Sequence, residues 1–215
     1  IKNGTTTTIG YTQNSDSSKQ IKDAAGNALA TLSSSVTATL TSDDTDPTIS
    51  NFTSSTSNDT YKVGDTIAVQ IVFSEDVLVT GTPTLKLETG TTDRSASYVS
   101  GSDSDTLVFN YTVQAGDESS DLEYASTSAL VIADASATIK DLAGRAVSET
   151  LLDPSASDTT NSLADNKAIV IDGKLPTISS AAVTAGTKTV TLTASETISG
   201  SPAAADFTVS GNTVS

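Results

Sequence analysis

The stretch Val63–Val77 constrains the fold of this chain more than any other part of the sequence. Apolar side chains occupy every second position in its centre, at Ile67, Val69, Ile71 and Phe73. This alternation is the period of a β-strand that buries one face in a hydrophobic core. Two carboxylates, Glu75 and Asp76, follow directly, and we expect the strand to end at them.

Two motifs occur twice, which indicates tandem repeats. The alternating strand with its acidic end returns in shorter form at Thr189–Ile198, and the segment Pro47–Ser50 that precedes the first copy returns as Pro176–Ser179. The turn motif Ile21–Ala28 returns as Ile139–Ala146. The distance between copies is far longer than the period of a solenoid and suits sandwich domains.

The repeats predict three units. Residues 1–46 are the C-terminal part of one repeat, 47–174 form a complete repeat, and 175–215 are the N-terminal part of a further repeat. We call them the first, second and third units. The first linker is Ser42–Pro47, which contains the acidic run Asp43–Asp46, and the second linker is Asp172–Lys174.

Short alternating segments separated by turn residues, with no helical pattern, predict an all-β fold of tandem antiparallel immunoglobulin-like β-sandwiches. The strands expected in the second unit are Ile49–Thr53, Thr66–Phe73, Thr84–Glu88, Ser95–Val99, Thr106–Val113, Leu122–Tyr124, Leu130–Ile132 and Ala168–Ile171. Thr106–Val113 alternates as clearly as the strand within Val63–Val77 and is its expected core partner. Outside this unit, we expect a weak strand near Thr5–Thr8 and a terminal strand within Leu32–Leu40.

Composition excludes several classes of function. The formal net charge is −15, so the phosphates of a nucleic acid would be repelled and no nucleic-acid partner is expected. The chain has no Cys for a disulfide framework, and no apolar run long enough to insert into a membrane. Without His or Cys there is no Ser–His or Cys–His nucleophile and no usual zinc ligand set. We therefore expect no enzymatic activity.

Five segments of the second unit together resemble the tandem bacterial immunoglobulin-like repeats of large extracellular surface proteins. They are Asp46–Ser50, Tyr61–Ile67, Phe73–Val77, Gly81–Leu85 and Ile139–Gly144. The family includes adhesins, biofilm proteins and S-layer or sheath proteins, so the resemblance implies an extracellular, cell-surface location and frequent calcium at domain junctions. The sequence departs from the family at Arg145, where Asn is usual, and at Lys174 in the second linker.

Acidic residues gather near both linkers, and calcium takes six to eight oxygen ligands from such groups. The ligands expected at the first junction are Asp43, Asp44 and Asp46, with Glu75 and Asp76 from the strand and Asp23 and Asn27 from the preceding unit's turn. Those expected at the second junction are Asp141, Asp172 and Glu196, although Lys174 lies beside them. A third cluster, Asp117, Glu118 and Asp121, is interpreted as a solvated loop, with a calcium site as the alternative.

Three Asn-X-Ser/Thr sequons lie in the second unit, at Asn51, Asn58 and Asn110. They are acceptor sites for an N-linked glycan if the chain meets a glycosylating pathway. In a chain so rich in Ser and Thr such sequons also arise by chance, so we interpret them only as expected surface positions.

Two functions follow from the resemblance. In the first, the repeats form or extend a cell-surface filament, sheath or S-layer through contacts with other copies or with adjacent repeats. In the second, the segment is a spacer of a large adhesin that presents a distal binding domain. A weaker third reading is that the segment itself binds a glycan or a host protein.

The two partial units carry an expectation of their own. Each alone would leave strand edges and an apolar face exposed. We expect either that the chain is an excerpt of a longer array, or that the third unit of one copy completes the first unit of the next by strand addition.

Overall fold

The computed structural model describes residues 6–9, 11–13, 15–31, 36–39, 43–132, 137–151, 153, 161–184, 186, 189–203 and 206–207. The strands of the first unit are β1 (Thr6–Ile9) and β2 (Val36–Thr39), with a 3₁₀ turn at Ser17–Lys19. Those of the second unit are β3 (Ile49–Ser54), β4 (Asp59–Lys62), β5 (Thr66–Thr80), β6 (Thr84–Glu88), β7 (Arg94–Ser100), β8 (Ser104–Thr112), β9 (Glu118–Ser119), β10 (Glu123–Tyr124), β11 (Leu130–Val131), β12 (Thr138–Asp141) and β13 (Ile169–Asp172), with the short helix α1 (Leu163–Asn166) before β13. The third unit has β14 (Ile178–Val183) and β15 (Val190–Ala194).

The chain is all-β, as the sequence predicts, and its sheets are built mainly of antiparallel pairs. An eight-stranded sheet has the order β10-β6-β7-β8-β5-β12, with β11 paired to β6 and β3 paired to β5. A three-stranded sheet has the order β4-β13-β9, in which β13 runs parallel to β4 and antiparallel to β9. The pairs β1-β2 and β14-β15 form two-stranded sheets. The immunoglobulin-like topology and the unit boundaries stay predictions.

The strand predicted within Val63–Val77 is β5, and its predicted inward face is confirmed. Ile67, Val69, Ile71 and Phe73 are at most 3% exposed. Its expected core partner is also confirmed, because β8 pairs with β5 and contributes Leu107, Phe109 and Tyr111 to the same hydrophobic cluster. The three-stranded sheet adds Ile169 and Ile171 to that cluster, so both large sheets share one core.

The prediction that this strand ends at Glu75 and Asp76 is wrong. β5 continues through both carboxylates to Thr80, because Val77 is buried again and β12 supplies a pairing partner from Val77 onwards. The pairing of β5 with β8 is irregular between Val72 and Val77, so the acidic pair lies at a bend within one long strand.

In the second unit the remaining strand predictions hold to within one or two residues, but β4, β9, β12 and α1 are not predicted from the sequence. β4 is polar and β9 is only two residues long, so neither carries an alternating apolar pattern. β12 was interpreted as part of a turn motif. In the first unit the described strand is Val36–Thr39, while Leu32 and Leu40 lie outside the described residues.

The start of the second unit is repeated in the third at the level of individual hydrogen bonds. The Thr48 amide donates to Ser74 Oγ at 3.0 Å, and the Ser74 amide donates to the Thr48 carbonyl at 2.8 Å. The Thr177 amide donates to Ser195 Oγ at 2.9 Å, and the Ser195 amide donates back to Thr177 at 2.7 Å. Glu196 is therefore the structural counterpart of Glu75.

Candidate metal centre

The candidate site lies at a gap along one edge of β5. Residues 69–73 of β5 pair with β3 on this edge, and residues 77–80 pair with β12 on the same edge, since β8 occupies the opposite one. The register places Ile49 opposite Phe73 and Asp141 opposite Val77. Glu75 falls midway between them. The gap therefore brings together the chain entering β3, the centre of β5 and the end of β12.

Three carboxylates meet at this gap. Asp43 of the first linker, Glu75 of β5 and Asp141 of β12 each offer an oxygen, and these oxygens all lie within 4.8 Å of one another. Asp43 is exposed, Glu75 is half-buried and Asp141 is only 2% exposed. Three carboxylate oxygens this close together can hold a metal ion.

Asp141 has a free ligand atom. Its Oδ1 accepts a hydrogen bond from the Arg145 amide at 2.7 Å. Its Oδ2 is buried and accepts no hydrogen bond from any residue in the described part of the chain. A buried carboxylate oxygen without a partner is costly, and a bound cation would satisfy it.

The electrostatics of the gap also favour a cation. Burial raises the pKa of Glu75 above its usual value, and the nearby carboxylates of Asp43 and Asp141 raise it further. Arg145 offsets part of this effect. A raised carboxyl pKa means that negative charge is unfavourable there until a proton or a metal ion compensates it.

Arg145 fixes the first linker beside this gap. Its Nη1 donates to Asp46 Oδ1 at 2.9 Å, its Nη2 to Asp44 Oδ1 at 3.2 Å, and its Nε to the Asp43 carbonyl oxygen at 3.0 Å. The hydrogen bond with Asp46, followed by the attraction of both carboxylates, raises the Arg145 pKa. Asp44 and Asp46, predicted as metal ligands, are both paired with this guanidinium.

The structure groups the predicted ligands differently from the sequence. Asp141 was assigned to the second junction but lies with Asp43 and Glu75 at the first. The neighbouring Asp76 is exposed and is not part of the three-carboxylate group. Asp23 and Asn27 bond to each other within their own turn, through Asn27 Nδ2 and Asp23 Oδ2 at 2.9 Å.

The second linker carries an ammonium group, that of Lys174, whereas the first linker lies beside the three clustered carboxylates. Lys174 Nζ lies 2.8 Å from both carboxylate oxygens of Glu118. This contact raises the Lys174 pKa, and the charges of Glu196 and Asp172 add to the effect. The two acids predicted as ligands here therefore have a protein cation close by.

Asp117 was interpreted as part of a solvated acidic loop, and this is wrong. It is 1% exposed and accepts hydrogen bonds from Arg94 Nε at 2.8 Å, Tyr111 OH at 2.7 Å and the Gln114 amide at 2.9 Å. Burial opposes its ionisation, but these hydrogen bonds outweigh burial and lower its pKa. Asp117 holds together the end of β8 and the turn after it.

The sequons differ in accessibility. Asn58 and Asn110 are exposed, as expected of surface positions. Asn51 is half-buried, and its Oδ1 accepts a hydrogen bond from Asn166 Nδ2 at 2.8 Å.

Two cationic partners are not predicted from the sequence. They are Arg145, which pairs with the first linker, and Arg94, which pairs with Asp117. The signal for Arg145 was present, because it stands where the other copy of the turn has Asn27. Arg94 carried no such signal, because its contact with Asp117 depends on the pairing of β7 with β8.

None of the helices in the described part of the chain has the length and apolar character needed to cross a membrane. Comparisons with protein-family models, with curated proteins and with solved structures return no match.

Proposed function

We propose that this chain is a non-catalytic structural repeat segment of an extracellular protein, which forms or extends a cell-surface filament, sheath or S-layer. In this proposal the chain belongs with the tandem bacterial immunoglobulin-like repeats, and calcium rigidifies its first junction. One observation carries the calcium part: Asp43 of the linker shares a gap with Glu75 and the buried Asp141 of the following unit.

Calcium is the metal that fits the chemistry of the gap. The candidate ligands are all carboxylate oxygens, which suit hard cations, and the chain has no His or Cys to select a softer metal. Backbone carbonyls and water would complete a coordination number of six to eight. The exposed side of Asp43 leaves room for water ligands.

The mechanical consequence follows from where the ligands lie. Asp43 precedes the second unit in the chain, whereas Glu75 and Asp141 belong to its sheet. An ion shared by all three would fix the linker to that sheet and limit its swing. Without the ion, the mutual repulsion of the carboxylates favours a looser linker.

Thermal unfolding with calcium and with chelator tests the calcium part. A site with a dissociation constant near 10⁻⁴ M, typical of extracellular modules, would stabilise the folded chain by about 1.4 kcal/mol at millimolar calcium. For a unit of this size that corresponds to a rise in Tm of roughly 5 °C. An unchanged Tm from chelator to millimolar calcium contradicts the calcium part.

Self-association tests the structural part separately. Sedimentation and electron microscopy of the chain with calcium should show ordered assemblies that grow with concentration. A chain that stays monomeric at every concentration would contradict filament or layer formation and would favour the adhesin spacer. Neither result depends on the calcium measurement.

A further inference from the structure

The turn motif that occurs twice has the same backbone in both copies. The Asp23 amide donates to the Asn27 carbonyl at 2.9 Å, and the Asp141 amide donates to the Arg145 carbonyl at 2.9 Å. Oδ1 of each Asp accepts from the amide of the residue four positions later, at 2.9 Å and 2.7 Å. The glycine within each turn, Gly26 or Gly144, has φ +90°.

The two copies differ in the side chain that closes the turn. Asn27 Nδ2 donates to Asp23 Oδ2 at 2.9 Å, so both carboxylate oxygens of Asp23 are satisfied within the turn. The Arg145 side chain instead extends to the first linker. Among the described residues nothing donates to Asp141 Oδ2, although Asp141 is almost fully buried.

We propose that the residue at position 145 determines whether the aspartate of this turn is available as a metal ligand. An asparagine at this position closes the turn by donating to the aspartate Oδ2. An arginine leaves that oxygen free for an ion and directs its own charge to the linker. The inference rests on the proposed function in that the ion is the calcium of the first junction.

Arg145 has a second effect in this account, as a positioning residue. By donating to the Asp43 carbonyl it holds the linker at a place where the Asp43 carboxylate reaches Glu75 and Asp141. Its positive charge also opposes a cation in the gap. Removing Arg145 therefore has opposing effects on calcium affinity, whereas replacing it with Asn adds a competing hydrogen-bond donor for Asp141.

The experiment compares R145N with R145A by calorimetric titration of calcium into the chelator-treated chain. Both variants lose the guanidinium, but only R145N introduces an amide that can reach Asp141 Oδ2. We expect calcium to bind R145N about tenfold more weakly than R145A, because the ion would have to displace a hydrogen bond to a charged acceptor, and such a bond accounts for about that factor. N27A, in the other copy of the turn, is the matched control and should leave calcium affinity unchanged, because the Asp23 oxygen that it frees is exposed and lies outside the group of Asp43, Glu75 and Asp141.

A crystal structure of R145N, grown without calcium, supplies a readout that does not depend on metal binding. The introduced amide should lie within hydrogen-bond distance of Asp141 Oδ2, as Asn27 does with Asp23. Equal calcium affinities of R145N and R145A, or an introduced amide that points away from Asp141, would overturn the inference. Failure of the wild-type chain to bind calcium, with the amide seated on Asp141, would overturn the calcium part of the proposed function and the ligand role of Asp141 while leaving the closed turn established.

Discussion

Arg145 Nε donates a hydrogen bond to the carbonyl oxygen of Asp43 at 3.0 Å, which ties the turn after β12 to the linker that enters the same unit. The contact joins residues 102 positions apart. It places a permanent cation on the linker, while carboxylate oxygens of Asp43, Glu75 and Asp141 gather at the gap in β5. The linker is thus held by a protein cation and also offers a ligand for a metal ion.

The first prediction concerns D141N. Asn retains an oxygen that can accept from the Arg145 amide, but it removes the charge of the most buried ligand. The Tm rise produced by calcium should disappear, because one of the three carboxylates is lost. Differential scanning calorimetry checks this, with D76N as the control because Asp76 is exposed and outside the three-carboxylate group. A full calcium response in D141N would contradict the assignment of Asp141.

The second prediction concerns pH. The pKa of Glu75 is raised above its usual 4.5, so the folded chain holds this proton more tightly than the unfolded chain. Without calcium, the stability from this group is present below pH 4.5 and is lost as pH rises through the raised pKa. Calcium affinity should change in the opposite direction, rising with pH as the competing proton leaves. Calorimetric titrations of calcium between pH 4 and pH 7 measure this change in affinity.

E75Q provides the control for this pH dependence. The variant cannot titrate at position 75, so its calcium-free stability should lose the fall with pH that Glu75 causes. Its calcium affinity should be low at every pH in the range. If the wild-type chain and E75Q show the same stability profile, Glu75 does not have the raised pKa described above.

The third prediction concerns Asp117, which is remote from the metal chemistry. D117A removes the acceptor for Arg94 and Tyr111 and leaves a guanidinium and a buried hydroxyl without their partner. The free energy of unfolding should fall by about 3–5 kcal/mol, the usual cost of breaking a buried pair. Urea denaturation measures it, and the loss should be the same with calcium as with chelator.

D93N is the matched control for Asp117. Asp93 forms an ion pair with Lys86 at 3.0 Å, but both side chains are partly exposed, so its loss should cost at most about 1 kcal/mol. The lowered pKa of Asp117 adds a pH signature: its stabilising effect is present above its usual pKa of 3.8 and is lost as pH falls through the lowered value. Equal losses in D117A and D93N would contradict the buried role of Asp117.

The fourth prediction separates the two linkers. Calcium should slow hydrogen–deuterium exchange in the acidic run Asp43–Asp46 of the first linker, because the ion would hold Asp43 against the sheet. The second linker should not respond, because Lys174 already supplies a cation beside Asp172 and Glu196. Exchange measured by mass spectrometry on the same sample compares both segments. Protection of both linkers by calcium would show that Lys174 does not replace the ion.

The core of the fold could be predicted from the sequence, because alternation along β5 and β8 depends only on local pattern. The site could be predicted only in part. Asp43 and Glu75 can be predicted as neighbours, since Asp43 lies in the acidic linker and Glu75 follows the alternating run of the next long strand. The position of Asp141 depends on β12 pairing with the far half of β5, a long-range register that no local pattern specifies. The internal repeat does mark this turn as different, because Arg145 replaces the Asn that closes the other copy.

The most direct test of the metal centre is an anomalous difference map from a crystal grown with calcium. We expect a peak within coordination distance of carboxylate oxygens of Asp43, Glu75 and Asp141, with the Arg145 guanidinium still on the linker. A map without a peak at this gap, or with its strongest peak between Asp172 and Glu196, would contradict a calcium site at the first junction.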